Sequence, residues 1–288
     1  MILIIDSGSS KADWVLIKDK LKFKQIQTEG FNPYYFDFNE LKKILKKHIT
    51  PNINPETVDE IYFYGAGCST ENKRNIINNV LSNVFTNTKI NINHDLLGAA
   101  RALFGRSEGI ACILGTGSNS CYYDGNKIVE NVPSLGYLFG DEGSGTYMGK
   151  IFLTNYLKNK IPENLKLKFD KKFKLSLEQI LDNVYNYSKP NRFISSFSKF
   201  LSENISEPFV KNLVRDSFME FFSEQVCKYS KYSQVPVSFI GTVAFIYENI
   251  LREAAQEIGI SIQSIEKNPV NGLIKFHISE EKQKYSRN

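Results

Sequence analysis

A carboxylate and a run of small hydroxylated residues lie near the start of the chain. The apolar run 2–5 ends at Asp6, and Ser7-Gly8-Ser9-Ser10-Lys11 then precedes a second apolar run at residues 14–17. This pattern predicts a strand, a tight polar turn and a second strand. Hydroxyls, glycine and one ammonium beside a carboxylate suit a metal-bound polyphosphate. An ordinary Ser/Gly hairpin explains these residues equally well, so the choice depends on the rest of the chain.

The same pattern returns about a hundred residues later. An apolar run at residues 110–114 meets the polar turn Gly115-Thr116-Gly117-Ser118-Asn119, and residues 120–123 form the next predicted strand. Two such hairpins, one in each domain, could hold a polyphosphate from both sides. We therefore predict a domain boundary near residues 105–107, which gives an N-terminal domain of residues 1–106 and a C-terminal domain of residues 107–288.

Strands and helices alternate between the two hairpins. The predicted strand 59–64 ends at Gly65-Ala66-Gly67, and the predicted strand 89–93 ends at His94-Asp95. Apolar spacing predicts helices over residues 39–48, 70–85 and 96–104. This alternation indicates an α/β fold. Because ligands in such folds bind beyond the carboxyl ends of strands, we expect these ends to lie at one site.

Two further glycine-containing segments could hold ligands. The segment 134–150 contains the adjacent carboxylates Asp141 and Glu142 and leads into a predicted helix over residues 144–157. It lacks the lysine of a P-loop, but a helix start beside glycines can bind anions or sugar hydroxyls. The turn Gly241-Thr242-Val243-Ala244 follows a predicted strand and opens a predicted helix over residues 245–258, and it suits a nucleoside.

Elsewhere the pattern predicts structure without chemistry. Residues 175–232 are expected to be almost wholly helical, and a last strand at 260–265 precedes a last helix at 269–279. The seven lysines between Lys158 and Lys174 are interpreted as a solvated connecting segment. No arginine cluster or nucleic-acid module accompanies them, so nucleic acid is not an expected partner.

Composition indicates a soluble, cytoplasmic protein. The 288 residues are 42% hydrophobic and 23% charged, with a net charge of +5, and suffice for two domains. No apolar run is long enough to span a membrane, and the first one lacks the basic flank of a secretory signal. The four cysteines have no C-x-x-C spacing and are interpreted as reduced thiols, and the three histidines are too scattered to predict a zinc site.

The order of these motifs resembles a known family. DSGSSKADW, then HD before an Ala-rich helix, LGTGSNS, GYLFGDEGSG and FIGTVA occur in this order over residues 2–245. The set is similar to the N-acetylglucosamine kinase group of the BadF/BadG/BcrA/BcrD ATPases, in the sugar kinase, actin and heat-shock chaperone superfamily. The resemblance implies an α/β, two-domain actin-like ATPase (ribonuclease H-like) fold with the active site in the interdomain cleft. It also implies a possible homodimer.

The resemblance implies a role for each motif. Asp95 matches the catalytic base, and Asp6 matches the residue near Mg²⁺. The expected contacts to ATP are Ser9, Ser10 and Lys11 in the first phosphate motif, Gly115, Thr116, Gly117 and Ser118 in the second, and Gly241, Thr242 and Ala244 in the adenosine motif. The expected contacts to the sugar are Asn32, Asn119, Asp141 and Glu142. The chain departs from the pattern in having a single glycine at 241 and in Cys68, to which no role is matched.

These roles predict an ATP-dependent amino-sugar kinase. The expected reaction is transfer of the γ-phosphate to the 6-hydroxyl of N-acetylglucosamine or a relative such as glucosamine or N-acetylmuramic acid. One alternative is an ATPase that activates a CoA-ester dehydratase or reductase through a shared iron–sulfur cluster, although the cysteines lack the C-G-x-G-type ligand loop. A non-catalytic sugar or nucleotide sensor is the other alternative.

Overall fold

A computed structural model describes residues 1–19, 21–186 and 189–285. The chain divides into two compact units. The first consists of Met1–Ser107, Gly125–Lys127 and the C-terminal segment from Pro269, and the second consists of Glu108–Asp124 and Ile128–Asn268. Each unit contains one sheet with helices packed against it, in agreement with the predicted α/β class.

The two sheets follow the same path. In order along the chain the strands are β1 (Ile2–Ser7), β2 (Lys11–Lys18), β3 (Leu21–Glu29), β4 (Glu60–Gly65), β5 (Lys89–His94), β6 (Gly109–Leu114), β7 (Ser118–Tyr123), β8 (Ile128–Glu130), β9 (Val237–Ile240) and β10 (Ile262–Glu266). Over the described residues the first sheet has the order β3-β2-β1-β4-β5 and the second has the order β8-β7-β6-β9-β10. In each, an antiparallel meander is extended by two parallel strands. The repeated hairpin predicted from the sequence is therefore part of a repeated sheet.

The helices complete the two units. In chain order they are α1 (Phe38–Ile44), α2 (Glu71–Ser82), α3 (Asp95–Phe104), α4 (Gly136–Phe139), α5 (Gly145–Leu157), α6 (Glu163–Phe173), α7 (Leu177–Tyr185), α8 (Pro190–Ser196), α9 (Ser198–Glu203), α10 (Pro208–Glu224), α11 (Thr242–Ile246), α12 (Glu248–Glu257) and α13 (Val270–Tyr285). A wider turn at Leu45–Ile49 continues α1, and single 3₁₀ turns lie at Pro55–Thr57 and Val226–Lys228.

The first sheet is covered on both faces. On one face, the α1 and α2 side chains share a core with residues such as Leu3 and Trp14. On the other face, Ile2, Ile4 and Tyr64 share a smaller core with α13. Because side chains alternate along a strand, Asp6 lies on the same face as Ile2 and Ile4. The face that carries the acidic residue is therefore the face covered by α3 and α13.

The C-terminal helix does not lie in the unit to which the sequence analysis assigned it. The sequence analysis placed residues 107–288 in one domain, whereas α13 groups with the first unit. A Cβ on Gly272 would lie 2.2 Å from the Ala102 carbonyl oxygen, so the backbones of α13 and α3 are in close contact. Leu273 is fully buried beside them. The apolar residues of α13 indicate that the helix packs against a core, but they do not indicate which sheet it covers.

The lysine-rich segment was interpreted as a solvated connection, but in the structure it is mostly helical. Most of it is α6, in which Leu165 and Phe169 are buried in the core of the second unit. The lysines face outward, and Lys168 lies 2.9 Å from Glu207. Lys172 pairs with Glu203 in the same way. The segment is therefore a helix that packs on the core of the second unit and carries ion pairs on its outer surface.

One predicted helix is interrupted. Residues 245–258 were expected to form one helix, but α11 and α12 are separated at Tyr247. The Tyr247 hydroxyl donates to the Ser198 carbonyl at 2.6 Å, and its side chain is buried. Within the described ranges no helix is both long and apolar enough to cross a membrane.

Candidate active site

The first polar turn joins β1 to β2. The Gly8 amide donates to the Lys11 carbonyl at 3.0 Å and closes the turn. The Gly30 amide, just after β3, donates to the Ser10 carbonyl at 3.1 Å. A Cβ on Gly30 would lie 2.3 Å from the Gly8 carbonyl oxygen, so only glycine fits there. The end of β3 therefore supports the turn that carries the predicted phosphate contacts.

Asp6 lies in an acidic environment at the end of β1. It is paired directly with Asp13 of β2, so both side chains lie on one face of the sheet. Burial raises the pKa of Asp6 to about 7, with further increases from Asp95 and Asp13 and an opposing effect of Lys11. A carboxyl group with this pKa is held partly protonated near neutral pH until a cation approaches it.

Asp13 is a site residue that the sequence analysis missed. It is buried, and it accepts hydrogen bonds from the Gln25 and Gln27 side-chain amides, each at 3.1 Å. The Lys11 ammonium lies 3.5 Å from its second oxygen. The signal was a carboxylate inside the otherwise apolar segment ADWVLI. Asp13 therefore connects the phosphate turn to Asp6 and β3.

Asp95 is the first residue of α3. His94 precedes it, and its Nδ1 accepts from the Leu96 amide at 3.3 Å and lies 3.1 Å from Asp95 Oδ1. Among the described residues, Asp95 Oδ1 has no hydrogen-bond donor although it is buried. A buried carboxylate oxygen without a donor is uncommon and indicates a functional role. The N-terminus of α3 stabilises negative charge at this position.

The Gly65-Ala66-Gly67 loop joins Asn32 to the first phosphate turn. The Ala66 amide donates to the Ser7 carbonyl at 2.8 Å. Gly67 has a φ of +82°, and a Cβ there would lie 2.6 Å from Asn32 Oδ1. Asn32 is buried, and the same oxygen accepts from the Tyr34 amide at 2.9 Å. The first unit thus gathers the turn, Asn32 and the glycine loop at one end of its sheet.

The second polar turn joins β6 to β7 and contacts the start of α5. The Gly115 carbonyl accepts from the Gly145 amide at 2.9 Å. The Thr116 carbonyl accepts from the Thr146 amide at 3.1 Å and from the Thr146 hydroxyl at 2.5 Å. The Ser144 side chain caps α5, which lies where the sequence pattern predicted a helix. The turn is therefore fixed by its carbonyl groups.

Asp141 lies against this turn. Its Oδ1 accepts from the Ser118 amide at 3.2 Å and from the Ser134 hydroxyl at 3.3 Å. A Cβ on Gly117 would lie 2.9 Å from its Oδ2. Burial raises the pKa of Asp141 and Glu142 adds to the increase, whereas the Ser118 and Ser134 hydrogen bonds oppose it. The structure thus places Asp141, expected at the sugar, beside the second phosphate motif, with Glu142 next to it.

Asn119 and Gly241 occupy different parts of the second unit. Asn119 lies on β7, and its Oδ1 accepts from the Asn131 side-chain amide at 3.2 Å. Gly241 has a φ of +133°, and a Cβ there would lie 2.1 Å from the Leu114 carbonyl oxygen. Leu114 directly precedes Gly115, so the adenosine motif, including Thr242 and Ala244, begins beside the second phosphate motif.

The cysteines do not form a cluster that could ligate iron. Cys68 lies in the first unit, and Cys112, Cys121 and Cys227 lie in the second. Burial raises the pKa of Cys68 to about 12, and it also raises the pKa of Cys112. In the part of the chain that the structure describes, no three His, Cys, Asp or Glu side chains are grouped to hold a metal ion. The thiols of Cys68, Cys112 and Cys121 are buried packing groups, and that of Cys227 is partly buried.

Solved structures relate the chain to sugar kinases. It is similar to a proposed N-acetylglucosamine kinase from Porphyromonas gingivalis, with 40% identity, a TM-score of 0.93 and coverage of 98% of this chain and 100% of that chain. Neither the protein-family models nor the curated proteins give a match.

Two more distant structures have the same fold. A proposed N-acetylglucosamine kinase from Chromobacterium violaceum has 12% identity and a TM-score of 0.76, with coverage of 96% of this chain and 98% of that chain. A ROK family glucokinase from Streptomyces griseus, in complex with glucose and AMPPNP, has 12% identity and a TM-score of 0.56, with coverage of 95% and 97%. Together with the repeated sheets, these similarities confirm the two-domain actin-like ATPase fold. On its 40% identity to the first relative over 98% of this chain and 100% of that chain, the chain belongs to the N-acetylglucosamine kinase-like phosphotransferases of the BadF/BadG/BcrA/BcrD ATPase family.

Proposed function

We propose that the protein is an ATP-dependent amino-sugar kinase that phosphorylates the 6-hydroxyl of N-acetylglucosamine or a close relative. The observation that carries this proposal is Asp95, whose buried Oδ1 has no donor among the described residues. A carboxylate oxygen of this kind can accept the proton of an attacking hydroxyl group, a contribution of about 10² to 10⁴ in rate. Family membership supplies the reaction class, and Asp95 supplies the base that the reaction requires.

The first unit has the groups needed for the metal-bound phosphates. Mg²⁺ in such enzymes takes one or two carboxylates and fills its remaining positions with phosphate oxygens and water. Asp6, with its raised pKa, fits this donor set because a nearby cation would favour its ionised form. When bound, Mg²⁺ would neutralise charge on the transferred phosphoryl group. We assign Ser9, Ser10 and Lys11 to the β- and γ-phosphates.

The second unit has the groups needed for the rest of the nucleotide. The close approach of Gly241 to Leu114 supports a continuous surface from the adenosine motif to the second phosphate turn. We assign Gly241–Ala244 to the adenosine and Gly115–Ser118 to the phosphates. Asp141 then orients the second turn through its hydrogen bond from the Ser118 amide.

The sugar is assigned to polar groups that each lie near the phosphate motif of their own unit. Asn32 is buried beside the glycine loop of the first unit, and we assign its side-chain amide group to a hydroxyl or acetamido group of the sugar. Asn119 and Glu142 are the further candidates. A site that hydrogen-bonds a substrate group strongly rejects analogues that lack the group, so these residues would select among amino sugars.

An ADP-release assay over a panel of amino sugars tests the proposal. We expect Mg- and ATP-dependent turnover with at least one N-acetylated or free amino sugar, and NMR of the product should show a 6-phosphate. Asp95→Asn should lower kcat about 10² to 10⁴ with little change in the KM for ATP. Asp59→Asn removes an exposed carboxylate of the same unit and should leave kcat unchanged. Sugar binding without ADP release would instead indicate the sensor alternative, and an unchanged kcat in Asp95→Asn would contradict the assigned base.

A further inference from the structure

A chain of polar side chains links α13 to α3 through β4. The His277 Nε2 lies 2.9 Å from the Tyr64 hydroxyl, and the Arg101 guanidinium donates to the same hydroxyl at 2.9 Å. His277 and Tyr64 are both buried. Because arginine only donates, the Tyr64 oxygen accepts from Arg101 and its own proton is available to His277 Nε2. Three elements that are far apart in the sequence therefore meet at one hydroxyl group.

Aromatic contacts hold the same groups in place. The Arg101 guanidinium lies 5.0 Å from the centre of the Phe276 ring and 5.9 Å from that of Tyr64. The Tyr62 ring lies 3.9 Å from the His277 ring, centre to centre. Arg101 Nε is buried and has no acceptor among the described residues. An arginine kept in this environment indicates a role beyond packing, because an unpaired buried donor destabilises the fold.

The chain of polar side chains contacts α3, the helix that begins with Asp95. A Cβ on Gly98 would lie 2.8 Å from the Tyr64 ring, so the ring touches the backbone of α3. Gly98 follows Asp95 by one helical turn, and Arg101 follows Gly98 by another, so all three lie along one side of α3. At the next residue, Ala102, the backbone of α3 meets Gly272 of α13. Tyr64 and α13 together therefore fix the position of α3.

The Asp95 carboxylate depends on the position of this helix. Its buried Oδ1 has no donor among the described residues, so that oxygen is not held by a hydrogen bond of its own. Its placement follows from the α3 backbone. We propose that His277, through Tyr64 and Arg101, is a positioning residue that fixes α3 and hence the Asp95 carboxylate against the acceptor hydroxyl. This inference rests on the proposed function, in which Asp95 is the base.

Steady-state kinetics of matched variants test the inference. Tyr64→Phe removes both hydrogen bonds and keeps the ring against Gly98. A displacement of about 1 Å can cost up to about a hundredfold in rate, so we expect kcat to fall about tenfold to a hundredfold while both KM values stay within about twofold. His277→Leu should behave in the same way. His277→Gln keeps an acceptor for the Tyr64 hydroxyl and should retain most of kcat.

Leu273→Ala is the matched structural control. Leu273 lies on α13 and is fully buried, but it is not a member of the polar chain. This variant should lower the melting temperature but reduce kcat per folded molecule much less than Tyr64→Phe does, because it leaves the polar chain intact. If Tyr64→Phe and His277→Leu keep the wild-type kcat, or if Leu273→Ala reduces kcat as much as they do, the inference is wrong.

Hydrogen exchange separates this inference from the proposed function. In the protein without substrates, Tyr64→Phe should speed amide exchange in residues 96–101 about tenfold or more, and Leu273→Ala should not do so selectively. If the wild type phosphorylates no sugar, the proposed function fails. The exchange pattern still decides whether the polar side chains of His277, Tyr64 and Arg101 fix the position of α3. Equal exchange of α3 in the wild type and Tyr64→Phe would overturn the inference in either case.

Discussion

Asp6 and Asp13 are paired directly across the β1–β2 hairpin, with both side chains on the same face of the first sheet. The two carboxylates differ in their surroundings. Asp13 accepts hydrogen bonds from Gln25 and Gln27, whereas Asp6 is desolvated and has its pKa raised to about 7. The pair therefore places a hydrogen-bonded carboxylate directly beside a desolvated one.

The raised pKa of Asp6 predicts a pH-dependent stability. In the unfolded chain Asp6 ionises near 3.8, and in the folded protein near 7, so the folded state loses stability as pH rises between these values. Asp6→Asn removes this loss. We expect it to raise the free energy of unfolding by about 2–4 kcal/mol at pH 8 and by little at pH 4, measured by urea unfolding. Asp19→Asn, at an exposed turn, is the control for the loss of one carboxylate. An equal effect at both pH values would contradict the assigned burial.

We expect Asp13 to influence how the KM for Mg·ATP depends on pH. If Mg·ATP is held by ionised Asp6, its KM should fall as pH rises through about 7. Asp13→Asn removes one of the charges that raise the pKa of Asp6, so the midpoint of this change should move to lower pH. The profile of KM against pH in wild type and variant measures the shift. An unchanged midpoint would mean that Asp13 does not influence Asp6.

Much of the fold could be predicted because its signals are local. Apolar runs that end at Asp6 and Gly115 define both hairpins, and the helix that became α5 was evident from the pattern over residues 144–157. The short elements β8 and α4 carry too few residues to show a period. In α6 the high lysine content concealed Leu165 and Phe169, whose four-residue spacing was the relevant signal.

The contacts within the site were less predictable because they depend on tertiary packing. Asp141 has a φ of +62°, and only this conformation, with the folded β6–β7 turn, places its carboxylate beside Gly117 and Ser118. His277 lies 213 residues from Tyr64, and its own helix gives no indication of its partner. The motifs therefore identified the turns, whereas the residues that fix the turns required the structure.

We expect the first phosphate turn to depend on its close contact with Gly30. Gly30→Ala would place a Cβ 2.3 Å from the Gly8 carbonyl oxygen and 2.9 Å from the Ser9 carbonyl carbon. Because these are backbone atoms, the turn must move, and we expect a loss of about 1–3 kcal/mol in stability together with a higher KM for ATP. Gly8→Ala is the control for stability, since its nearest contact is an ordinary 3.7 Å. Equal unfolding midpoints for the two variants would show that the turn tolerates the displacement.

We expect substitution by alanine to have different effects at Gly115 and at Gly241: weaker ATP binding at Gly115 and lower stability at Gly241. A Cβ on Gly115 has no neighbour within 4 Å, and its backbone is not left-handed, so Gly115→Ala should change stability by less than about 0.5 kcal/mol. If ATP phosphates approach this backbone, the methyl group would fill their space and weaken ATP binding about tenfold or more. Gly241→Ala would meet the Leu114 carbonyl at 2.1 Å with a φ of +133°, and it should cost about 2–4 kcal/mol in stability. Calorimetric titration with ATP and thermal unfolding of both variants separate the two effects. If Gly115→Ala binds ATP with the wild-type affinity, the assignment of the second turn to the phosphates is wrong.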